Sequence, residues 1–425
     1  MIYNEWMVFI LKRIKILKSF FSLLTALIMS NGFVLSTFAT DIQCATENEK
    51  TILLDEAIKL EANSWIASAY DNKVEIDDIT PIIEPNTYSF CVSYEKDKIP
   101  CGYAVFMYIN GEFIVSEYTN ISGSNDIYTD IKDEILSERA YNRCKDIGDF
   151  MFKTGPLEYA VGYINEKGEL HNEDCFGNEV STPNFVLESV CDTYNNEKSI
   201  FIDINNFINT SKYQIVEGIS YDVSGAKFDK KPTSPIAEKG DYKALWDAWY
   251  VNSVKKYNCG LTADLHILAI KNQLGNFSLD DIRNTYKKLM NMATKKVLVS
   301  TSNGINYYSM YATDTSDVLT MYLKLNTPYK NTISTYKQNP ASSWIKSEIK
   351  NNHPIVLSYH IKTKNGKSDH AVTIFSFRRA KKVSSGNTYN YLGVFDGWTY
   401  NPKFINYTTV DFTGVTEAFS YEFKK

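Results

Sequence analysis

Residues 258–275 read NCGLTADLHILAIKNQLG. Leu261, Leu265, Leu268 and Ala269 recur at helical spacing and Gly275 suits a C-cap, so the stretch is predicted to be a helix with Cys259 at its start. The unsatisfied N–H groups and dipole of a helix N-terminus favour a thiolate. Downstream, apolar or alternating runs at 354–359, 371–377, 391–395 and 419–423 predict strands between polar turns. This half of the chain is therefore helix first and sheet last, an α+β order.

A nucleophilic cysteine needs a base, an orienting acceptor for that base, and donors for the oxyanion. Of the five histidines, His171 lies far upstream, and His353 before Pro354 reads as a loop residue. His266 is seven residues along the cysteine's own helix, about 10 Å away at roughly 1.5 Å per residue, too far for a primary base. His370 opens an apolar strand in Ser368-Asp369-His370-Ala371-Val372 and is the chosen base, with His360 next in line. Asp396 closes a strand in Val394-Phe395-Asp396-Gly397-Trp398, 26 positions after His370, and is the candidate acceptor.

These three blocks resemble the Cys, His and Asn/Asp blocks of papain-like cysteine peptidases, most closely the bacterial bacteriocin-processing and streptopain types, over about residues 240–425. The resemblance implies a catalytic domain in which a helix carrying Cys259 packs on an antiparallel β-sheet. It also implies Trp398 as a shield over the His370–Asp396 pair. The family's oxyanion-hole Gln usually lies six residues before the Cys, where this chain has Ser253. The neighbouring Asn252 is the nearest side-chain amide for that role. Two rivals carry different expectations. A transglutaminase-like acyltransferase uses the same order of residues but usually a shorter Cys-to-His interval than the 111 positions here. A secreted binding or adhesion module on a degenerate peptidase fold is kept in view by Ser253.

Upstream, residues 51–70 place Leu54, Ala57, Ile58, Leu60, Ala62, Trp65, Ile66 and Ala69 near helical periodicity, predicting an amphipathic helix. Strands are predicted at 88–94, 103–108 and 113–118, with Asn110-Gly111 as a hairpin turn. Cys101-Gly102-Tyr103-Ala104-Val105 followed by Glu112-Phe113-Ile114-Val115-Ser116-Glu117 resembles the propeptides found with streptopain-like peptidases. Six cysteines (Cys44, Cys91, Cys101, Cys144, Cys175, Cys191) lie in this segment, an even set able to form disulfides in an exported domain, whereas Cys259 stands apart.

At 425 residues the chain exceeds one domain of about 100–200 residues, and its 44% hydrophobic content excludes wholesale disorder. Lys12, Arg13, Lys15 and Lys18 precede the apolar run 20–29, and Thr37-Phe38-Ala39 resembles a signal-peptidase site. The expected organisation is a signal peptide at 1–39, an acidic α+β prodomain at 45–215, a linker at 216–235 and the catalytic domain at 236–425. The expected protein is secreted or held at the cell surface, with no stable membrane insertion after signal cleavage. The net charge of −5 divides into +3 over 1–40, −20 over 41–230 and +12 over 231–425. This asymmetry predicts an acidic unit docked on a basic one as an inhibitory prodomain, occluding Cys259 until the linker is cut, for example at Lys230-Lys231. Lysine clusters such as Arg378-Arg379-Ala380-Lys381-Lys382 read as solvated faces. No zinc spacing, P-loop or dinucleotide fingerprint occurs, so no metal, cofactor or nucleic acid is called for, and the expected substrate is a protein or peptide.

Overall fold

Antiparallel strand pairing dominates the computed structural model. It describes residues 51–69, 74–84, 87–136, 144–155, 157–174, 179–181, 201–203, 213–220, 259–271, 273, 279–294, 297–302, 305–363, 366–396, 402–408 and 416–425. The signal-peptide segment, Cys44, Cys175, Cys191, Lys230-Lys231, Asn252, Gly275 and Trp398 lie outside the described residues. No described helix is long and apolar enough to cross a membrane.

In chain order the N-terminal unit consists of β1 (Thr51–Leu53), α1 (Leu54–Ala69), β2 (Glu75–Glu84), β3 (Thr87–Lys96), β4 (Ile99–Ile109), β5 (Glu112–Thr119), α2 (Ile127–Ile135), β6 (Cys144–Gly155), β7 (Glu158–Asn165), β8 (Leu170–Asp174), β9 (Phe201–Asp203) and β10 (Tyr213–Ser220). The C-terminal unit contributes α3 (Cys259–Ile270), α4 (Leu279–Met292), β11 (Val297–Ser302), β12 (Ile305–Ser309), α5 (Ala312–Asn326), β13 (Ile333–Gln338), α6 (Ser342–Lys350), β14 (Ile355–Thr363), β15 (Gly366–Lys382), β16 (Thr388–Phe395), β17 (Lys403–Asn406) and β18 (Thr416–Glu422). The class is α+β. One large mixed sheet has the order β13-β18-β14-β15-β16-β17-β5-β4-β3-β2-β6-β7-β8, with β10 also paired to β15. Its pairings are antiparallel apart from β2 with β6.

The predicted β3–β5 meander forms. Asn110 and Gly111 both take the left-handed region, at φ 52 and 88, which suits a two-residue turn between right-twisting strands. Gly102 takes φ +97, and a Cβ there would stand 2.2 Å from the Thr119 carbonyl oxygen, so the position needs glycine on both counts. This irregularity breaks the alternation of β4, so Cys101 faces the core shared with Ala104 while Tyr103 and Val105 face the opposite side with Cys91. Cys91 and Cys101 therefore cannot bridge, and the described cysteines form no disulfide with one another.

Three sequence expectations need correction. The linker does not begin at residue 216: residues 216–220 belong to β10, which pairs with β15 through Ile219↔Phe377 and Ser220↔Ser376. Its alternating burial escaped notice because Glu217, Gly218 and Ser220 dilute the apolar pattern. In α1, Leu60 is 39% exposed while Glu61 is buried, because Glu61 has partners inside the core. The third correction supplies them. Lys382, read as solvated, is 4% exposed; it pairs with Glu61 at 3.0 Å and donates to the Phe113 carbonyl at 2.7 Å.

These contacts join the two units. At the junction β17 pairs with β5 through Phe404↔Tyr118 and Ile405↔Glu117. Trp65 meets Tyr118 and Tyr213 edge-on at 4.9 Å each, and Tyr118 stacks on Phe404 at 4.9 Å. One apolar cluster thus contains Trp65, Phe113 and Tyr118 together with Val394, Tyr391 and Phe404. Among the described residues, the ion pairs across the junction share one polarity: Glu61, Glu112, Glu117 and Glu217 of the acidic unit face Lys382, Lys403, Lys346 and Arg379 of the basic unit.

Candidate functional site

Cys259 opens α3 as predicted, and every residue from Leu261 to Ile270 is buried. A helix apolar all round belongs inside a core, and α3 sits between the sheet and α4 and α5. Thr373 of β15 anchors it by donating its hydroxyl to the Ala263 carbonyl at 3.0 Å. Gly260 is required by close approach, since a Cβ there would meet Thr315 Oγ1 of α5 at 2.7 Å. The helix start that carries the thiol is thereby held on both sides, with Cys259 itself half-buried.

His370 lies on β15 opposite Tyr359 of β14, and their rings meet edge-on at 5.6 Å. It is 2% exposed. Its Nε2 lies 2.9 Å from the main-chain carbonyl oxygen of Asp396. A carbonyl only accepts, so Nε2 carries the hydrogen and Nδ1 of the neutral ring holds the lone pair that a base needs. His370 and Asp396 are thus brought together, but through the backbone of Asp396. The Asp396 carboxylate turns to Lys403 of β17, with Oδ2 at 2.8 Å from Nζ in an ion pair without hydrogen-bond alignment.

Burial pulls His370 down to about 3; the Asp396 charge and carbonyl oppose this, and Lys403 adds to it. Burial likewise takes His266 down to about 4, again opposed by Asp396. His266 stacks obliquely near Phe395 at 5.3 Å, so two histidines flank Asp396. Tyr359 faces His370 from the neighbouring strand. Its phenol is raised well above the ordinary value, first by burial, then by the charges of Glu158, Asp396, Cys259 and Glu117. The other histidines are engaged elsewhere or lie apart: His171 contacts Glu179 at 2.8 Å, His353 contacts Glu348 at 2.9 Å, and His360 pairs in register with Asp369.

Sequence reasoning missed Lys403, Glu117 and Tyr359. Lys403 opens a four-residue strand that is buried throughout, and Glu117 lies in a strand whose last seven residues are buried. An isolated charge in a short apolar run was the available signal, and it reads equally as a solvated edge.

Asp264, on the cysteine's helix, is fully buried, and neither carboxylate oxygen has a hydrogen-bond partner among the described residues. Desolvation holds its carboxyl well above the ordinary range. With a folded pKa above the unfolded value of about 3.9, the native state binds the extra proton, so stability is greatest below that value and is lost as pH rises toward the folded pKa. Asp264→Leu is expected to stabilise the protein at pH 7 by about 1–3 kcal/mol and to flatten this pH dependence. Urea denaturation at pH 5 and 8 checks both; an unstabilised variant with unchanged slope refutes the account.

No family model matches the chain, and a search of the curated proteins finds no match.

Proposed function

We propose that the chain is an exported cysteine peptidase precursor that hydrolyses peptide bonds through Cys259, His370 and Asp396, in a papain-like catalytic unit. The observation that carries this reading is the His370 Nε2 bond to Asp396, which leaves Nδ1 as the basic nitrogen of a ring on β15, the strand anchored through Thr373 to the helix that begins with a half-buried thiol. In the reaction, His370 Nδ1 takes the Cys259 proton and the thiolate attacks the scissile carbonyl. Main-chain N–H groups at the helix start, with Asn252, stabilise the oxyanion. The imidazolium then protonates the leaving amine. In the second half His370 removes a proton from water, the hydroxyl attacks the thioester, and the thiol is regenerated. The family resemblance assigns Trp398 the role of shielding the histidine.

The acidic N-terminal unit acts in this proposal as an inhibitory prodomain on the basic unit. The one-sided ion pairs at the junction support docking. The deep burial of His370 supports latency: a ring held near 3 is neutral at physiological pH and does not sustain a thiolate–imidazolium pair. Opening the site to water relieves the largest cause of that depression and brings the base toward its working range.

A thiol-directed irreversible peptidase probe tests the reading. Labelling is expected in the activated protein and absent in Cys259→Ala; equal labelling of both would sink the catalytic assignment. Release of peptides, as opposed to amine incorporation at glutamine, separates a peptidase from a transglutaminase-like enzyme. No turnover of either kind favours a binding module.

A further inference from the structure

Lys403 is 2% exposed, and its ammonium lies between two carboxylates, 2.8 Å from Asp396 Oδ2 and 3.7 Å from Glu117 Oε1. Glu117 belongs to β5 of the N-terminal unit, the strand that pairs with β17. Its two oxygens also accept the phenols of Tyr103 at 2.8 Å and Tyr159 at 2.9 Å. One buried cation is therefore shared between the acid that serves His370 and an acid supplied by the other unit. A buried ammonium keeps such a place only where geometry and further hydrogen bonds compensate its desolvation.

We propose that Lys403 is a positioning residue of the catalytic pair: it holds the Asp396 carboxylate away from His370, leaving the main-chain carbonyl as the ring's acceptor. Glu117, by sharing Lys403, sets how much of the carboxylate's charge the ring experiences. The inference rests on His370 being the base and names a regulation of that site. Among the described residues, the groups facing His370 are Asp396 at the end of β16, Lys403 of β17, Tyr359 of β14 and, one step further, Glu117 of β5. His266 and Cys259 of α3 and Glu158 of β7 act on Asp396 or Tyr359. Asp396 favours the charged ring and Lys403 opposes it, which agrees in sign. With Glu117 in place the three charges sum to one negative; without it Asp396 and Lys403 cancel and the ring becomes less basic. Docking of the acidic unit thus contributes to the electrostatics of the site through Glu117.

The test uses the full chain labelled with ¹⁵N-histidine, His370→Ala identifying the ring. At pH 7 the wild type is expected to show protonated Nε2 and bare Nδ1. Lys403→Met is expected to raise the ring's proton affinity by about tenfold or more, Lys403→Arg to stay near the wild type, and Glu117→Gln to lower the affinity. A ring protonated on Nδ1, an affinity unchanged or lowered in Lys403→Met, or one unchanged or raised in Glu117→Gln overturns the proposal. If Lys403→Met does not fold, the wild-type tautomer and Glu117→Gln still decide it. The titration reads the ring whether or not peptides are cleaved, so failure of the peptidase reading appears separately, as probe labelling that survives Cys259→Ala.

Discussion

Lys382→Met is expected to destabilise the protein by about 3–5 kcal/mol, the range seen when one partner of a buried ion pair is removed. Lys382 reaches from the end of β15 into the N-terminal unit. There it meets Glu61 at 3.0 Å, the Phe113 carbonyl at 2.7 Å and Glu112 at 3.8 Å, and lies 5.6 Å from the centre of the Tyr213 ring. Without it, the Glu61 carboxylate keeps the Tyr213 hydroxyl but loses its buried cation. The cost is therefore mostly that of an uncompensated charge, and the methionine chain does not replace it. Removing both charges in Lys382→Met/Glu61→Leu is expected to recover most of the loss, since a well-packed apolar pair is often neutral or stabilising in such a place. Urea denaturation of the single and double variants measures this. A double variant no more stable than Lys382→Met would show that packing, not charge, accounts for the loss. Because the pair spans the two units, the single variant is also expected to weaken the docking on which the proposed latency depends.

His370→Ala is expected to reduce turnover of the activated protein by about 10³-fold or more, with KM little changed, because a general base and acid is worth roughly 10²–10⁴-fold and the proposed reaction passes the proton through this ring alone. Truncating a buried ring also leaves the Asp396 carbonyl without its donor, a loss of about 1–3 kcal/mol. The urea midpoint must therefore be measured beside kcat. His266→Ala is the informative control. It removes the second histidine near Asp396, and turnover is expected to fall less than tenfold, because His266 has no place in the proposed proton path. If His266→Ala abolishes turnover and His370→Ala spares it, the base is misassigned.

Much of the architecture was readable from local pattern. The α3 segment, the β3–β5 meander and the four C-terminal strands announced themselves through periodicity, and Asn110-Gly111 through its turn chemistry, because these signals arise within a few residues of chain. Of the candidate site, Cys259 at a helix start and His370 at the head of an apolar run were legible for the same reason. Lys382, Lys403 and Glu61 were not. A charged residue in sequence carries no mark of whether water or a distant opposite charge will be its neighbour, and the solvated reading is right for most. Strand β10 was missed because its pairing with β15 comes from more than 150 residues away.

By itself the sequence determined the α+β order, the cysteine at its helix start and the charge imbalance between acidic and basic segments, all properties of neighbouring residues or of sums over them. Only the tertiary structure decided that the two segments share one sheet and one apolar core. It also decided that His370 meets the carbonyl of Asp396 while the carboxylate is taken by Lys403. The reason is physical: burial turns a charge that would cost little in water into one that must find its partner, and the partner is chosen by which strands lie side by side.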